Sequence, residues 1–191
     1  MFLYKITRPF LKLFINLYRP TYINKEYIPK NTNYILAGNH TSYLDPILVA
    51  SSTNDYVHFF AKDSLYKGIK KPIFKSFGII PVNRKIKDKT ALKQGIKYLK
   101  EGKIIGIFPE GTINKTDDLI MNFKYGAVKM SKDANTLLVP FAIKNRYKFL
   151  KKSVKIIFDK PYFVKDDLEI ENNILMEKVK NMLKVKLWII Y

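Results

Sequence analysis

Apolar residues along the chain form short continuous runs separated by polar segments, and runs of this kind predict buried strands. A run with one proline inside it, as at Pro140, predicts a strand at a sheet edge or a bulge. The predicted strands cover residues 34–38, 55–61, 78–84, 104–108, 137–143 and 154–158.

Between these runs the apolar residues recur at steps of three and four, which predicts amphipathic helices. In the clearest case, residues 88–101, Asp88 is placed to cap the first turn and Gly102 to end the last. Further helices are predicted after Pro46 and over 61–76, 122–132 and 171–186. Helix, glycine stop and apolar strand in succession indicate an α/β fold: a single domain with a mostly parallel central sheet flanked by helices.

Residues 1–20 have a separate pattern, in which basic residues lie on one helical face and apolar residues such as Ile6, Phe10 and Leu13 on the other. Such a basic amphipathic helix can lie in a membrane interface or pack on the domain. No apolar run here approaches the ~20 residues of a spanning helix. Charges recur through the apolar region and no small-residue cleavage site follows, which disfavours a signal peptide.

Composition removes several kinds of chemistry. The 191 residues, 47% of them hydrophobic, include no cysteine and two histidines. Disulfides, a cysteine nucleophile and thiolate metal sites are therefore excluded, and a multi-histidine metal site is disfavoured. The length and apolar content suit one domain with a substantial core.

The formal net charge of +19 indicates attraction to polyanions, namely nucleic acid, an anionic membrane surface or phosphorylated ligands. A solvated lysine surface and genomic bias can account for part of it. The basic residues are dispersed and no nucleic-acid-binding motif is present, so a nucleic-acid-binding protein is only a distant alternative.

The stretch from Asn39 to Pro46 follows a predicted strand and leads into a predicted helix. A turn between them could fold the Asp45 carboxylate back onto the His40 imidazole. This would fix the tautomer and leave the other ring nitrogen as a general base. The alternative is a helix-capping aspartate beside an unrelated surface histidine. His58 lies among apolar residues, which predicts a buried structural histidine.

Other polar residues also follow predicted strands. Arg84 is placed for a bidentate phosphate contact, although a solvated arginine is the plainer interpretation. In the turn from Pro109 to Thr112, Gly111 would allow a ligand close to the backbone and the Glu110 carboxylate could accept from hydroxyls.

Four of these stretches together resemble the glycerophospholipid acyltransferase family, particularly the short bacterial lysophosphatidic acid acyltransferases. Residues 39–45 fit the family's NHxxxxD motif, 78–84 fit GxxxxxR, 108–112 fit FPEGT and 139–143 fit VPxAI. The resemblance spans about residues 30–145 and places the four motifs in the family's order.

The resemblance implies a role for each site residue. His40 would be the general base and Asp45 would orient it, so that the acceptor alkoxide attacks an acyl thioester directly. The absence of cysteine and of a G-x-S-x-G elbow agrees with this, because no covalent acyl-enzyme is needed. Arg84 would bind the acceptor phosphate, with Lys124 a weaker candidate. Glu110, Gly111 and Thr112 would line the glycerol-phosphate pocket.

The resemblance further implies conversion of lysophosphatidic acid to phosphatidic acid, with acyl-carrier protein or coenzyme A thioesters as donors and no cofactor or metal. The family commonly continues FPEGT with Arg-Ser, whereas Ile113-Asn114 follows here. Glycerol-3-phosphate, another lysophospholipid or a lyso-aminolipid therefore stay open as acceptors, as does a catalytically dead homologue. The expected location is the cytoplasmic face of the cell membrane, peripheral or monotopic, with residues 1–20 at the interface and 21–191 as the catalytic domain.

Overall fold

Six helices and eight strands alternate along most of the chain in a computed structural model that describes residues 2–66, 68, 70–83, 85–165 and 167–185. The helices are α1 Phe2–Asn16, α2 Asp45–Ser52, α3 Lys70–Ser76, α4 Lys89–Lys100, α5 Gly126–Ala134 and α6 Leu168–Lys184. The strands are β1 Thr21–Ile23, β2 Tyr34–Gly38, β3 Val57–Lys62, β4 Ile80–Val82, β5 Ile104–Ile107, β6 Leu137–Lys144, β7 Lys155–Phe158 and β8 Tyr162–Phe163. Short 3₁₀ turns cover Lys25–Tyr27 and Asp63–Leu65.

The strands form one sheet in the order β1-β7-β6-β2-β5-β3-β4, with β8 also paired to β6. Only the pairings of β6 with β7 and with β8 are antiparallel. The predicted mostly parallel α/β fold is therefore confirmed. Strand β2 lies between β5 and β6, and every one of its residues is buried, as expected for a strand covered on both faces.

Two apolar cores cover the two faces of this sheet. On one face, residues such as Leu48 of α2 and Ile15 of α1 pack against Leu36 and Phe141. On the other, Leu99 of α4, Met130 of α5 and Leu175 of α6 belong to the second core. The helices thus form layers on both sides of the sheet, and the carboxyl ends of the parallel strands β2, β5 and β3 meet at one edge.

The capping residues predicted from the sequence match the observed ends of α4. The Asp88 carboxylate accepts from the backbone N–H groups of Thr90 and Ala91, and Gly102 follows the helix with φ of +77°. The start of α5 was predicted too early, because residues 122–125 precede the helix and Lys124 lies in the connection. Strands β1 and β8 were not predicted, and residues 186–191 of the predicted terminal segment lie outside the described part of the chain.

Pro140 does not lie at a sheet edge but opposite a bulge, which is the second of its two predicted settings. Between the pairs Leu138–Tyr162 and Phe141–Phe158 the opposing segment has one residue more than β6. Strand β6 pairs with β2 along one side and with β8 and then β7 along the other. The Pro140 carbonyl accepts from the Asp159 N–H, in the connection between β7 and β8. The nitrogen of the same residue faces that same side, so the missing N–H falls where no strand needs a donor.

Helix α1 packs on the domain through residues that lie between the apolar and the basic faces of its pattern. Tyr4 and Ile15 are buried, and the Arg8 guanidinium donates to the carbonyls of Thr53 and Asn54 just past the end of α2. A cation suits a helix C-terminus, where carbonyl groups lack partners. The apolar residues Ile6, Phe10, Leu13, Phe14 and Leu17 are exposed; we refer to them as the α1 outer face.

Candidate active site

His40 and Asp45 lie in contact just beyond the end of β2. The turn over residues 41–44 brings the Asp45 carboxylate back, so that Oδ2 is 2.9 Å from His40 Nδ1. Asp45 is the first residue of α2 and is fully buried. The alternative from the sequence, that this carboxylate caps its own helix, is not what the structure shows. The carboxylate instead accepts from the N–H groups of Thr41 and Ser42 in the preceding turn, at 2.6 and 2.8 Å.

The second carboxylate oxygen of Asp45 accepts from a residue that the sequence did not indicate. Tyr147, in the loop after β6, donates its hydroxyl to Asp45 Oδ1 at 2.7 Å. Burial and, to a smaller extent, the charge of Asp45 raise the pKa of Tyr147. The hydroxyl therefore keeps its proton and acts as a donor. Asp45 thus has donors on both oxygens, which fixes its orientation toward His40.

The His40 ring is held in its plane by Phe108, at the end of β5. The two rings stack with centroids 4.1 Å apart and planes at 16°. Nδ1 faces Asp45, which favours the tautomer with the proton on Nδ1. No group among the described residues hydrogen-bonds to Nε2, and the side chain is 12% exposed. The arrangement therefore offers one unprotonated ring nitrogen, open to a substrate hydroxyl.

Glu110 is buried, and both of its carboxylate oxygens accept hydrogen bonds from backbone N–H groups. Oε1 accepts from the His40 N–H at 2.7 Å and Oε2 from the Met121 N–H at 2.9 Å. Burial raises the pKa of the Glu110 carboxyl, and these two donors oppose the rise. This side chain ties the β5 turn to the His40 turn and to the segment before α5.

Gly111 and Lys124 lie together, and Thr112 follows Gly111 with an exposed side chain. The Lys124 ammonium extends over Gly111, where an added Cβ would lie 3.0 Å from Nζ, and Gly111 itself has φ of +75°. A side chain at this position would therefore be strained and crowded. Thr112 is exposed, and its side chain makes no hydrogen bond within the described residues. Arg84, predicted to bind phosphate, lies outside the described residues.

Two asparagines fix the turns around His40. The Asn39 amide exchanges two hydrogen bonds with the backbone of Ile143 in β6, at 2.9 and 2.7 Å. The Asn114 N–H donates to the His40 carbonyl at 2.8 Å. The sequence had marked Asn39 only as part of a motif and Asn114 only as a departure from one, although a polar amide directly after a strand, as at Asn39, is itself a signal of backbone pairing.

His58 is the second histidine and is buried, as predicted. Its Nδ1 contacts the Gly78 carbonyl at 2.8 Å, and its ring packs against Tyr98. Burial lowers the pKa of His58. Within the described part of the chain, no group of three or more His, Cys, Asp or Glu residues could hold a metal ion, and no helix is long and apolar enough to cross a bilayer.

A His–Asp pair outside the carboxyl ends of parallel strands, with Nε2 open, has the geometry that a general base for a hydroxyl group requires. Residues 19–144 match the family described as Acyltransferase. That match covers more than half of the chain, and the chain belongs to this family.

Two curated relatives have the same name, 1-acyl-sn-glycerol-3-phosphate acyltransferase. The protein from Bacillus subtilis is 31% identical over 166 residues, covering 83% of this chain and 82% of the relative. The protein from Borreliella burgdorferi is 35% identical over 132 residues, covering 68% of this chain and 52% of the relative, so the chain spans about half of that protein's length.

A solved structure shows the same fold. The crystal structure of the 1-acyl-sn-glycerophosphate (LPA) acyltransferase PlsC from Thermotoga maritima superimposes with a TM-score of 0.75. The match covers 93% of this chain and 78% of that protein at 22% sequence identity. At this identity the likeness concerns the fold alone.

Proposed function

We propose that this acyltransferase-family chain transfers an acyl group from an acyl thioester to the free hydroxyl of lysophosphatidic acid, giving phosphatidic acid in phospholipid biosynthesis. The observation that carries the proposal is the His40 ring, bound to Asp45 through Nδ1 and open at Nε2. The printed names of the Bacillus and Borreliella relatives support the choice of acceptor.

In this proposal His40 Nε2 removes the proton from the acceptor hydroxyl as the oxygen attacks the thioester carbonyl. Asp45 orients the ring and stabilises the imidazolium that forms. The tetrahedral intermediate then expels the thiolate, and the imidazolium returns its proton to that sulfur. The acyl chain passes directly to the acceptor, so the chemistry needs neither a covalent acyl-enzyme nor a cofactor.

The acceptor phosphate would meet basic residues beyond the strand ends. Lys124 extends over Gly111 beside the Glu110 turn, and Arg84 follows β4 in the chain. Since Ile113-Asn114 stand where the family commonly has Arg-Ser, one cationic contact is missing, and phosphate binding depends more on these two residues. Glycerol-3-phosphate, other lysophospholipids and lyso-aminolipids are the alternative acceptors. Acyl-carrier protein and coenzyme A thioesters are the alternative donors.

The lipid acceptor requires contact with a membrane, and we assign that contact to residues 1–20. Phe10 and Leu13 are 68% and 65% exposed on the α1 outer face, and apolar side chains of this size are normally buried. An anionic leaflet would attract a chain of net charge +19. The proposed location is thus the cytoplasmic face of the cell membrane, with residues 21–191 as the catalytic domain.

The test is acyl transfer by purified protein to lysophosphatidate, with acyl-carrier-protein and coenzyme A thioesters offered separately. His40→Ala should lower the rate by ~10²–10⁴-fold, because a general base contributes about that much. His58→Asn, at the chain's only other histidine, is the matched control and should keep most of the activity. Circular dichroism should show that all three proteins are folded.

Two results would contradict the proposal. If the His40→Ala variant transferred acyl groups at the wild-type rate, His40 would not be the base. If folded wild-type protein acylated glycerol-3-phosphate or another lysolipid but not lysophosphatidate, the acceptor assignment would be wrong while the assignment of the base would stand.

A further inference from the structure

The loop joining β6 to β7, residues 145–153, presents apolar side chains to solvent at its tip. Phe149 and Leu150 are adjacent, and they are 59% and 57% exposed. No described segment of the chain covers them. Such side chains in a loop are exposed at a cost unless a partner receives them.

Basic residues surround this apolar tip. Residues 144–155 contain six Lys or Arg and no Asp or Glu. An open pocket of about 490 Å³ lies in the same segment and is lined by Asn145, Arg146, Lys148, Lys152, Ser153 and Lys155. Among the described residues none of these four cations forms an ion pair. The pocket therefore has the charge and the donors that an anionic phosphate group requires.

Internal hydrogen bonds give the loop a defined shape. Ser153 Oγ donates to the Arg146 carbonyl at 2.9 Å and accepts from the Lys148 N–H at 3.1 Å. The Asn145 amide donates to the Ser153 carbonyl at 3.1 Å. These bonds close the base of the loop, and the side chains of Phe149 and Leu150 are exposed at its tip.

The loop also adjoins the α1 outer face. The Leu150 N–H donates to the Leu17 carbonyl at 2.7 Å. The Tyr18 ring contacts Phe149 on one side and Phe14 on the other, with centroids 5.9 and 5.8 Å apart. The exposed apolar residues of helix and loop thus form one continuous surface.

We infer that the 145–153 loop is a second membrane-contact site, in which Phe149 and Leu150 enter the interface of an anionic bilayer while the basic pocket binds a lipid headgroup phosphate. The inference rests on the proposed membrane contact of α1, with which the loop is continuous. A bilayer suits this surface because only a lipid interface offers apolar chains and a layer of phosphates within one side-chain length of each other. Tyr147 belongs to the same loop and donates to Asp45, so the lipid contact adjoins the candidate active site.

Vesicle binding by the full chain, measured without acyl donor, tests whether the basic residues of the loop bind anionic lipid. Vesicles of phosphatidylcholine containing phosphatidylglycerol are compared with vesicles of phosphatidylcholine alone. The variant Lys148→Gln/Lys152→Gln should bind the anionic vesicles about 25-fold more weakly, at about fivefold for each basic residue at an anionic surface. The control Lys89→Gln/Lys93→Gln changes the same net charge on α4, on the opposite face of the sheet, and should bind nearly as the wild type does. An equal loss in both variants would overturn the inference, because the overall charge would then carry the binding.

Fluorescence tests the insertion of the tip. A Trp188→Phe background removes the only tryptophan, and Phe149→Trp then places a reporter in the loop. Its emission should move to shorter wavelength on anionic vesicles and should be quenched by brominated lipid chains. Ile170→Trp on α6, in the same background, is an exposed control and should not respond.

An unchanged Phe149→Trp emission on vesicles that bind the protein would overturn the inference. Because neither measurement uses the reaction, failure of the loop contact can be told from failure of the proposed acyl transfer, which is measured with a short-chain lysophosphatidate below its micelle concentration.

Discussion

Asp45 receives hydrogen bonds from five different groups: the His40 ring, two backbone N–H groups, the Thr41 hydroxyl and the Tyr147 hydroxyl. A buried carboxylate needs such donors, because desolvation otherwise penalises its charge. Tyr147 is the one donor that comes from far along the chain, 102 residues away. Its hydroxyl should therefore influence how firmly the carboxylate holds the His40 ring in position.

Tyr147→Phe removes only this hydroxyl. We expect kcat to fall about tenfold with little change in KM, since a hydrogen bond to a charged group contributes about 1.5–3 kcal/mol and part of it acts on the orientation of His40. Steady-state kinetics measure both constants.

Tyr18→Phe is the matched control, since the Tyr18 ring packs on Tyr147 at 5.8 Å. It should keep the wild-type kcat. An equal fall of kcat in both variants would show that Tyr147 only supports the fold around Asp45.

The pairing of His40 with Asp45 could be predicted from the sequence because the two residues are joined by one short turn. Tyr147 and the amide of Asn39 could not, because their partners are set by the lateral order of the strands. The roles of Glu110, Gly111, Thr112 and Lys124 in binding remain predictions. The structure shows in addition that both carboxylate oxygens of Glu110 already accept hydrogen bonds from backbone N–H groups.

At the scale of elements, α1 shows why a hydrophobic pattern predicts a helix more reliably than its orientation. The period marks an apolar and a basic face but not which side of the helix the domain receives, and α1 packs through residues that lie between these two faces. Here Arg8 supplies donors to the carbonyls at the end of α2, while Tyr4 and Ile15 supply the buried contacts. Strand β1 was missed for a related reason: its three residues pair with β7, which is distant in sequence.

Phe10→Ser/Leu13→Ser removes the two most exposed side chains of the α1 outer face. Binding to anionic vesicles should weaken at least about tenfold, because each large apolar side chain contributes up to about 1.5–3 kcal/mol when removed from water. Cosedimentation measures this loss.

Ile170→Ser/Ile174→Ser, at two exposed apolar positions of α6, is the control and should sediment with vesicles as the wild type does. Unchanged sedimentation of the α1 variant would exclude the α1 outer face as the membrane contact.

At the scale of the whole molecule, stability is linked to pH through His58. Burial lowers its pKa below the ordinary value of 6.5, so the unfolded chain takes up a proton at a higher pH than the folded protein does. The contribution of His58 to the free energy of unfolding is therefore fully present above pH 6.5 and is lost as the pH decreases below that value.

Urea unfolding at about pH 7.5 and about pH 5.5 should show this decrease in the wild type. His58→Asn keeps a donor near the Gly78 carbonyl but does not titrate, so its free energy of unfolding should change less between the two values. Equal changes in both proteins would mean that other groups, and not His58, link stability to pH in this range.

The order of the strands in space differs from their order in the chain, and this has a consequence for folding. The Asn39 side chain is hydrogen-bonded to Ile143, 104 residues later. Strand β2 has a hydrogen-bonded neighbour on both sides only when β5 and β6 have joined it. Contacts between such distant segments form slowly. With the proposed membrane contact, α1 would therefore be available to a bilayer during synthesis on the ribosome well before His40 is held in place, and the nascent chain would be tethered before it could react.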